Sequence, residues 1–303
     1  MSRPNDTDPK GRDPSGVTAS SPSPASASLE GGLYVVATPI GNLRDVTLRA
    51  LDVLGAADLV LAEDTRVARK LLDAFSLSPT VTSYHEHNAQ AARPGVLAAL
   101  AAGKVVALIS DAGTPLISDP GYKLVRDAVA AGHRVFPIPG ASALLAGLVV
   151  AGLPTDRFLF AGFPPSKTGA RAAFFDELAD TQATLVFYES GPRLKASLEA
   201  MCAAFGDREA AVGRELTKFF EEVRRERLSA LAAAIDAPPK GEIVVIVAPP
   251  DEAPPADAAA LDAALRRFLR SHPVKEAARL AAEETGAMRR EAYARALILK
   301  DEP

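Results

Sequence analysis

From residue 31 onward, short apolar runs alternate with longer stretches of helical periodicity. LYVVAT, DLVLA, KVVALIS and RVFPI are runs of β-branched and aliphatic residues. VTLRALDVLGAA, TRVARKLLDAF, RPGVLAALAAG and YKLVRDAVAAG repeat apolar residues every three to four positions. Runs apolar on both sides predict strands covered on both faces, and their alternation with helices predicts a parallel sheet. After the helical stretch ASALLAGLVVAG and the turn LPTD, a second series begins. RFLFAGF, ATLVFYES, REAAVGREL and GEIVVIV read as strands, AAFFDELA and LKASLEAMCAAF as helices. Residues 31–152 therefore read as one α/β domain and 153–248 as a second. The proline-rich, acidic APPDEAPPAD predicts an extended linker over 249–256. Beyond it, 257–303 shows only helical periodicity, with Val274, Ala277, Ala278 and Ala281 on one face.

Composition narrows the class. The 303 residues are 48% hydrophobic and 24% charged, as in a soluble globular protein of two to three units. No apolar run approaches the roughly 20 residues that span a bilayer, so no membrane is expected. The single cysteine, Cys202, leaves no internal disulfide and no cysteine zinc cluster, and a reducing compartment fits. Residues 1–29 are rich in Ser, Pro, Asp and Gly and read as a disordered leader without the hydrophobic stretch of a secretory signal. The cytoplasm is the expected location.

The unusual residues concentrate where strands end, which is where open parallel sheets bind ligands. ATPIGN follows the first strand, AEDTR the second, SDAGTPLISDPG a later one and PIPGASA the next. Gly41, Gly113 and Gly140 let main chain approach a ligand, and Pro39, Pro115, Pro120 and Pro139 stiffen the same turns. Any one such loop is equally an ordinary βα turn; four in succession favour a ligand. G-x-G-x-x-G and G-x-x-x-x-G-K-[ST] are both absent from the sequence, which argues against dinucleotide and triphosphate binding. GASAL misses the last glycine of a nucleophile elbow, and His85 and His87 lack a third metal ligand, so no metal is expected. A small ligand without phosphate, held by backbone groups, remains; S-adenosylmethionine meets that description.

Taken in order, LYVVATPIGNLRDVTLRALDVLGAADLVLAEDTRVARKLL, YHEHN, SDAGTPLISDPGYKLV, PIPGASA, GLPTDRFLFAGF, LVFYES, GRELTKFFEE and PKGEIVVIV resemble the bacterial 16S ribosomal RNA cytidine 2′-O-methyltransferases of the tetrapyrrole methylase superfamily. The resemblance covers roughly residues 31 to 300. It implies an α/β, two-domain tetrapyrrole-methylase-like fold (a class III S-adenosylmethionine-dependent methyltransferase) with a small C-terminal helical domain. It implies S-adenosylmethionine bound between the domains, a homodimer, and 16S rRNA within the small ribosomal subunit as partner, methylated on the ribose of a decoding-centre cytidine. By position in the motifs, the cofactor-binding residues are Pro39, Gly41, Asp111, Ala112, Gly113, Thr114, Ser142 and Ala143, with Tyr188 and Ile243 from the second domain. One departure is visible. The family commonly carries a histidine before the arginine that follows YES, where this chain has Pro192.

Moving a methyl group to a ribose hydroxyl is an in-line displacement in which the protein aligns the reactants and accepts one proton. Asp64 and Glu189 are the candidate catalytic carboxylates, alongside Glu63, Glu215 and the YHEHN histidines. Arg66 and Lys218 are the candidate cations for an RNA phosphate or a developing oxyanion. Asp64 reads equally as a helix N-cap. The net charge of −4 confines any RNA-attracting field to local patches. The candidates are Arg224, Arg225 and Arg227; Arg266, Arg267 and Arg270; and Arg289, Arg290 and Arg295, which also read as charged helix faces. A tetrapyrrole methylase and a non-catalytic ribosome-assembly factor are the alternative readings.

Overall fold

The computed structural model describes residues 29–250, 258–287 and 289–300. The leader expected over 1–29, apart from its last residue, and most of the linker expected over 249–256 lie outside the described residues.

The first compact unit comprises Val46–Gly140 together with the described residues up to Ala37. Its strands are β1 (Gly32–Val36), β2 (Leu59–Ala62), β3 (Val81–Ser83), β4 (Val105–Ile109) and β5 (Val135–Ile138); its helices are α1 (Leu48–Ala56), α2 (Thr65–Ala74), α3 (Ala89–Ala101) and α4 (Tyr122–Ala130). The strands form one parallel sheet in the order β3-β2-β4-β1-β5. All five residues of β4 are buried. The physical reason is a core on each face. Val105, Ala107 and Ile109 join Val36, Val53 and Leu54 on one side, while Val106 and Leu108 join Leu33, Val96 and Leu124 on the other. A strand buried on both faces must be apolar at every position, as VVALI is.

The second unit takes Thr38–Asp45 and the described residues from Ala141. It contains α5 (Ala143–Val150), β6 (Phe158–Gly162), α6 (Thr168–Asp176), β7 (Thr184–Ser190), α7 (Gly191–Phe205), β8 (Glu209–Arg214), β9 (Glu222–Arg227), α8 (Leu228–Ala233) and β10 (Glu242–Val247). Its sheet is mixed, in the order β6-β7-β10-β8-β9, with only β6 and β7 parallel. The boundary expected at 152/153 falls earlier because α5 belongs here. Leu144 and Leu148 pack with Val186, Val244 and Ile246, and Ile40 joins the same cluster. Gly147 permits this approach: a Cβ there would lie 2.9 Å from Val244 Cγ1.

EEVRRERL, read from sequence as a basic patch or charged helix face, is largely strand β9, at the edge of this sheet. Charge on an edge strand discourages further pairing. Its arginines are also occupied. Arg225 donates to the Val150 carbonyl at 2.9 Å, Arg227 to the Asp207 carbonyl at 2.6 Å, and Arg224 faces Glu226 at 3.4 Å.

The tail forms α9 (Ala258–Leu269), α10 (Val274–Thr285) and α11 (Arg289–Lys300). Leu261, Leu265, Ala278, Ala281, Ala292, Ala296 and Leu299 form its own small core. No helix among the described residues is long and apolar enough to cross a membrane.

Candidate active site

The loop after β4 is built under strain. Gly113 and Gly121 have φ of +79° and +138°, and the non-glycine residues Leu116 and Ser118 have +73° and +67°. Left-handed backbone at branched or hydroxyl residues costs energy and concentrates at functional segments. Gly121 also has no room for a side chain, since a Cβ would press on Leu108 and Leu116. The buried Ser110 hydroxyl donates to the carbonyls of Ala112 and Gly113 at 3.3 and 3.2 Å, curling the loop back on the strand end. Asp111 and Ala112 are thereby exposed, Thr114 is half-buried and Gly113 is buried.

Asp111 ties this loop to the end of β2: its Oδ1 accepts the Asp64 amide hydrogen at 2.9 Å. Asp64 itself is the N-cap of α2. Its Oδ1 accepts from the Arg66 amide at 2.8 Å, and its carboxylate takes the Arg66 guanidinium at 3.0 and 2.6 Å. These hydrogen bonds hold the Asp64 carboxyl down to about 2. A carboxylate that acidic is a poor proton acceptor, so the catalytic role expected for Asp64 gives way to capping. Arg66 keeps a side chain 86% exposed beside it.

Two carboxyls held above their usual range stand next to these. Burial pushes the Asp119 carboxyl up to about 6, with Glu63 adding to the rise and the Ser110 hydroxyl opposing it. Glu63 is also raised, by burial and then by Asp111. Both line a cavity of about 680 Å³, whose wall includes Tyr84, Glu86, Arg93 and Arg126. The two arginines are held by Asp127, at 2.7 and 3.0 Å. Asp119 was missed from the sequence; its only signal there was a carboxylate inside an otherwise glycine- and proline-rich loop. Among the described residues, no three His, Cys, Asp or Glu side chains converge on a metal position.

In the second unit, Ser142 caps α5 and Ala143 begins it. The Ser142 hydroxyl accepts from the Leu145 amide at 3.5 Å, and the Tyr188 hydroxyl from the Leu144 amide at 3.2 Å. Tyr188 packs against Phe160 and Phe163, with ring centroids 4.8 and 5.4 Å away. Pro39 is half-buried and Gly41 exposed. Gly41 faces the Lys218 side chain, whose ammonium lies 2.8 Å from Glu215 and 2.6 Å from Glu242.

Two expected site residues point elsewhere. Neighbouring residues of a strand face opposite sides of the sheet. Glu189 therefore lies across the sheet from Tyr188, with a side chain of 0% exposure. It accepts from the Ser190 amide at 2.8 Å and the buried Ser197 hydroxyl, and pairs with Arg193 at 3.2 Å. That carboxylate anchors α7 and reaches no open space, so it is not an available proton acceptor. Ile243, 3% exposed, belongs to the core on the same side, packed with Leu194 and Leu198. Only its backbone is left for a ligand.

Comparison with known proteins follows this geometry. The family described as Tetrapyrrole (Corrin/Porphyrin) Methylases matches residues 32–232, and the RsmI C-terminal HTH domain matches residues 255–300. A protein of Mesorhizobium japonicum named Ribosomal RNA small subunit methyltransferase I is 55% identical over 90% of this chain and 94% of its own length. Proteins of the same name from Pseudomonas aeruginosa and Escherichia coli O157:H7 are 46% and 44% identical, each over 88% of this chain, covering 97% and 95% of their own lengths. Among solved structures, uroporphyrin-III-C-methyltransferase from Thermus thermophilus aligns with a TM-score of 0.53 at 23% identity, over 71% of this chain and 94% of that one. Diphthine synthase aligns with a TM-score of 0.54 at 18% identity, over 71% and 89%. At such identities these two share the fold.

Proposed function

The chain belongs to the tetrapyrrole methylase family, and on that premise we propose that it methylates small-subunit ribosomal RNA on the ribose 2′-hydroxyl of a cytidine, with S-adenosylmethionine as donor. The substrate class is supported by relatives at 44–55% identity along almost their whole length that carry the name of a small-subunit ribosomal RNA methyltransferase. The chemistry rests on one observation above all: a half-buried carboxyl, Asp119, raised to about 6 on the wall of a cavity of about 680 Å³. A volume of that size suits a nucleoside-sized group.

The donor set fits the proposed cofactor. Asp111 and Ala112 expose a carboxylate and main chain with no side chain larger than two carbons beyond Cα. Such groups accept hydrogen bonds from nucleoside hydroxyl and amino groups. Thr114 of the same loop is proposed to hold it with them, and for the second unit the resemblance implies contacts from Pro39, Gly41, Ser142, Ala143 and Tyr188. When bound, S-adenosylmethionine supplies a methyl carbon on a positively charged sulfur that departs as a neutral thioether.

Asp119, ionised above its raised value, would accept the proton of the ribose hydroxyl. Glu63 keeps the acceptor basic, because two neighbouring carboxylates resist carrying full charge together. Such a base contributes roughly 10²- to 10⁴-fold. Lys218, held between two carboxylates, presents a fixed cation for an RNA phosphate.

The experiment is direct. Purified protein, labelled methyl donor and small subunits from cells lacking the enzyme are combined, and the RNA is digested to nucleosides. Label in 2′-O-methylcytidine supports the proposal. Label on a base, in a tetrapyrrole, or nowhere rejects it.

A further inference from the structure

Two charged side chains, Glu189 and Arg171, are buried among the described residues, and the fold treats them differently. Glu189 is satisfied by the Ser190 amide, the Ser197 hydroxyl and Arg193. The Arg171 side chain, 6% exposed, makes no hydrogen bond or ion pair with any described residue. A buried charge is costly unless something pairs with it, so an unmatched guanidinium in a packed position points to an anion that arrives from outside. Of its three nitrogens only Nε is sealed from solvent, which leaves the two terminal ones open to the surface.

The place of Arg171 in α6 locates that anion. Its amide closes the first helical turn on the Lys167 carbonyl at 2.9 Å. Ahead of it, the amides of Thr168, Gly169 and Ala170 have no acceptor among the described residues, because Lys167 occupies the cap position and offers no side-chain bond. Residues 166–170 are all exposed, and a Cβ built on Gly169 would meet nothing within 4 Å, so these amides face open space. Helical side chains lie back over the preceding turn, which brings the Arg171 fork along this same first turn. Free amides at the positive end of a helix and a guanidinium fork both bind phosphate, and here they share one turn.

The loop leading into α6 is fixed by another arginine, since Arg193 donates to the Pro164 carbonyl. The same loop carries Phe163, 55% exposed, whose ring lies 5.4 Å from that of Tyr188. An open aromatic face on this loop suits a nucleotide, whose base can stack while its phosphate is held, better than it suits bare phosphate. We propose that the first turn of α6 and Arg171 bind one phosphodiester of the substrate RNA, with Phe163 against the adjoining base. This rests on the ribosomal RNA reading above and adds to it a contact that positions the RNA without reading its sequence.

The test compares full-chain Arg171→Gln and Gly169→Asp with the unchanged protein and with Lys104→Gln, an exposed lysine before β4. Binding of naked 16S rRNA is read by fluorescence anisotropy across a salt series. Each phosphate contact on a single strand contributes about 0.7 to the slope of log affinity against log salt, and both site variants are expected to lose about that much slope and about tenfold in affinity. The KM for small subunits is expected to rise about tenfold while kcat stays within about twofold, and Lys104→Gln changes none of these. Stability moves the opposite way. Arg171→Gln removes an unmatched buried charge and Gly169→Asp puts a carboxylate at the positive end of a helix, so melting temperatures in phosphate-free buffer are expected to hold or rise in both.

Loss of RNA affinity in Gly169→Asp upholds the proposal even where Arg171→Gln fails to fold. Unchanged slope and KM in Gly169→Asp overturn it, and a lowered melting temperature in Arg171→Gln then marks the arginine as structural. Stabilisation by micromolar inorganic phosphate, with RNA binding intact in the variants, assigns the site to a free anion and equally overturns it. Failure of the functional reading looks different. The unchanged protein would then transfer no methyl group to small subunits, whereas the site variants would still lose RNA affinity.

Discussion

Lys218 fills the space that any side chain on Gly41 would need: a β-carbon built on Gly41 collides with the γ-, δ- and ε-carbons of the lysine. The glycine in ATPIGN therefore does more than free the backbone. It leaves the lysine stem room to lie between Glu215 and Glu242, with a backbone twisted to φ of +51° at Glu215 and +67° at Thr217. Gly41→Ala is expected to displace Lys218 and to cost about tenfold in kcat/KM on small subunits, as is Lys218→Met. Because both act through one ammonium, the double variant is expected to be no worse than either single. Additive losses in the double-mutant cycle would refute the linkage.

The Asp119 carboxyl governs pH dependence in two ways. Its folded value, about 6, lies above that of an unfolded aspartate, about 3.9, so the folded state binds more protons between these values. Stability is thus gained as pH falls through 6 toward 4, and the cost of the charged form is fully present above 6. Asp119→Asn removes that cost. Allowing for partial exposure, it is expected to stabilise the protein by about 1–2 kcal/mol at pH 8 and by little at pH 4.5, read from thermal melts at both.

Activity moves the other way. Methyl transfer by the unchanged protein is expected to rise as pH climbs through about 6, with the ionisation of the acceptor. Asp119→Asn should fall by roughly 10²-fold or more at pH 8 and lose that rise. A variant that is stabilised yet fully active would remove Asp119 from the reaction.

Glu189 is expected to act on stability instead. Glu189→Ala leaves the Ser197 hydroxyl and Arg193 without their acceptor in a site closed to water, a loss of about 3 kcal/mol in denaturant unfolding. Glu189→Gln retains the shape, so a smaller loss and an unaltered pH–rate profile are expected. A profile that shifts with this substitution would return Glu189 to the chemistry.

Tyr188→Phe deletes the hydroxyl that satisfies the Leu144 amide at the start of α5. The expected cost is about 1 kcal/mol, or 2–4 °C in Tm. Ser142→Ala, at the same helix end, should cost a similar amount, and the two together should exceed either alone.

Much of the fold was legible in local pattern. VVALI reads as a strand covered on both faces, and ATPIGN, SDAGTPLISDPG and PIPGASA fall at strand ends as the periodicity placed them. Strand-end segments also supplied Asp64 and Asp111 as residues worth inspecting, and Asp64 as a helix cap. The missed elements were those whose local pattern is ambiguous. EVRRER alternates too weakly and carries too much charge to announce a strand; it is one because β8 offers it an edge. The helix ALLAGLVV is apolar all round, so its sequence names no partner, and only the packing of Leu144, Gly147 and Leu148 on β7 and β10 assigns it to the second sheet.

The roles of the charged residues were decided by tertiary structure alone. A glutamate in FYES and an aspartate in ISDPG are equally acidic on paper. Strand alternation turns Glu189 into a closed network on the α7 side, while the strained loop leaves Asp119 half-buried on a cavity wall beside Glu63. Sequence determines which residues carry charge and near which strand end they stand. Whether a charge is spent on a cap, sealed in an ion pair or left poised depends on desolvation and on neighbours distant in the chain, and those exist only once the chain has folded.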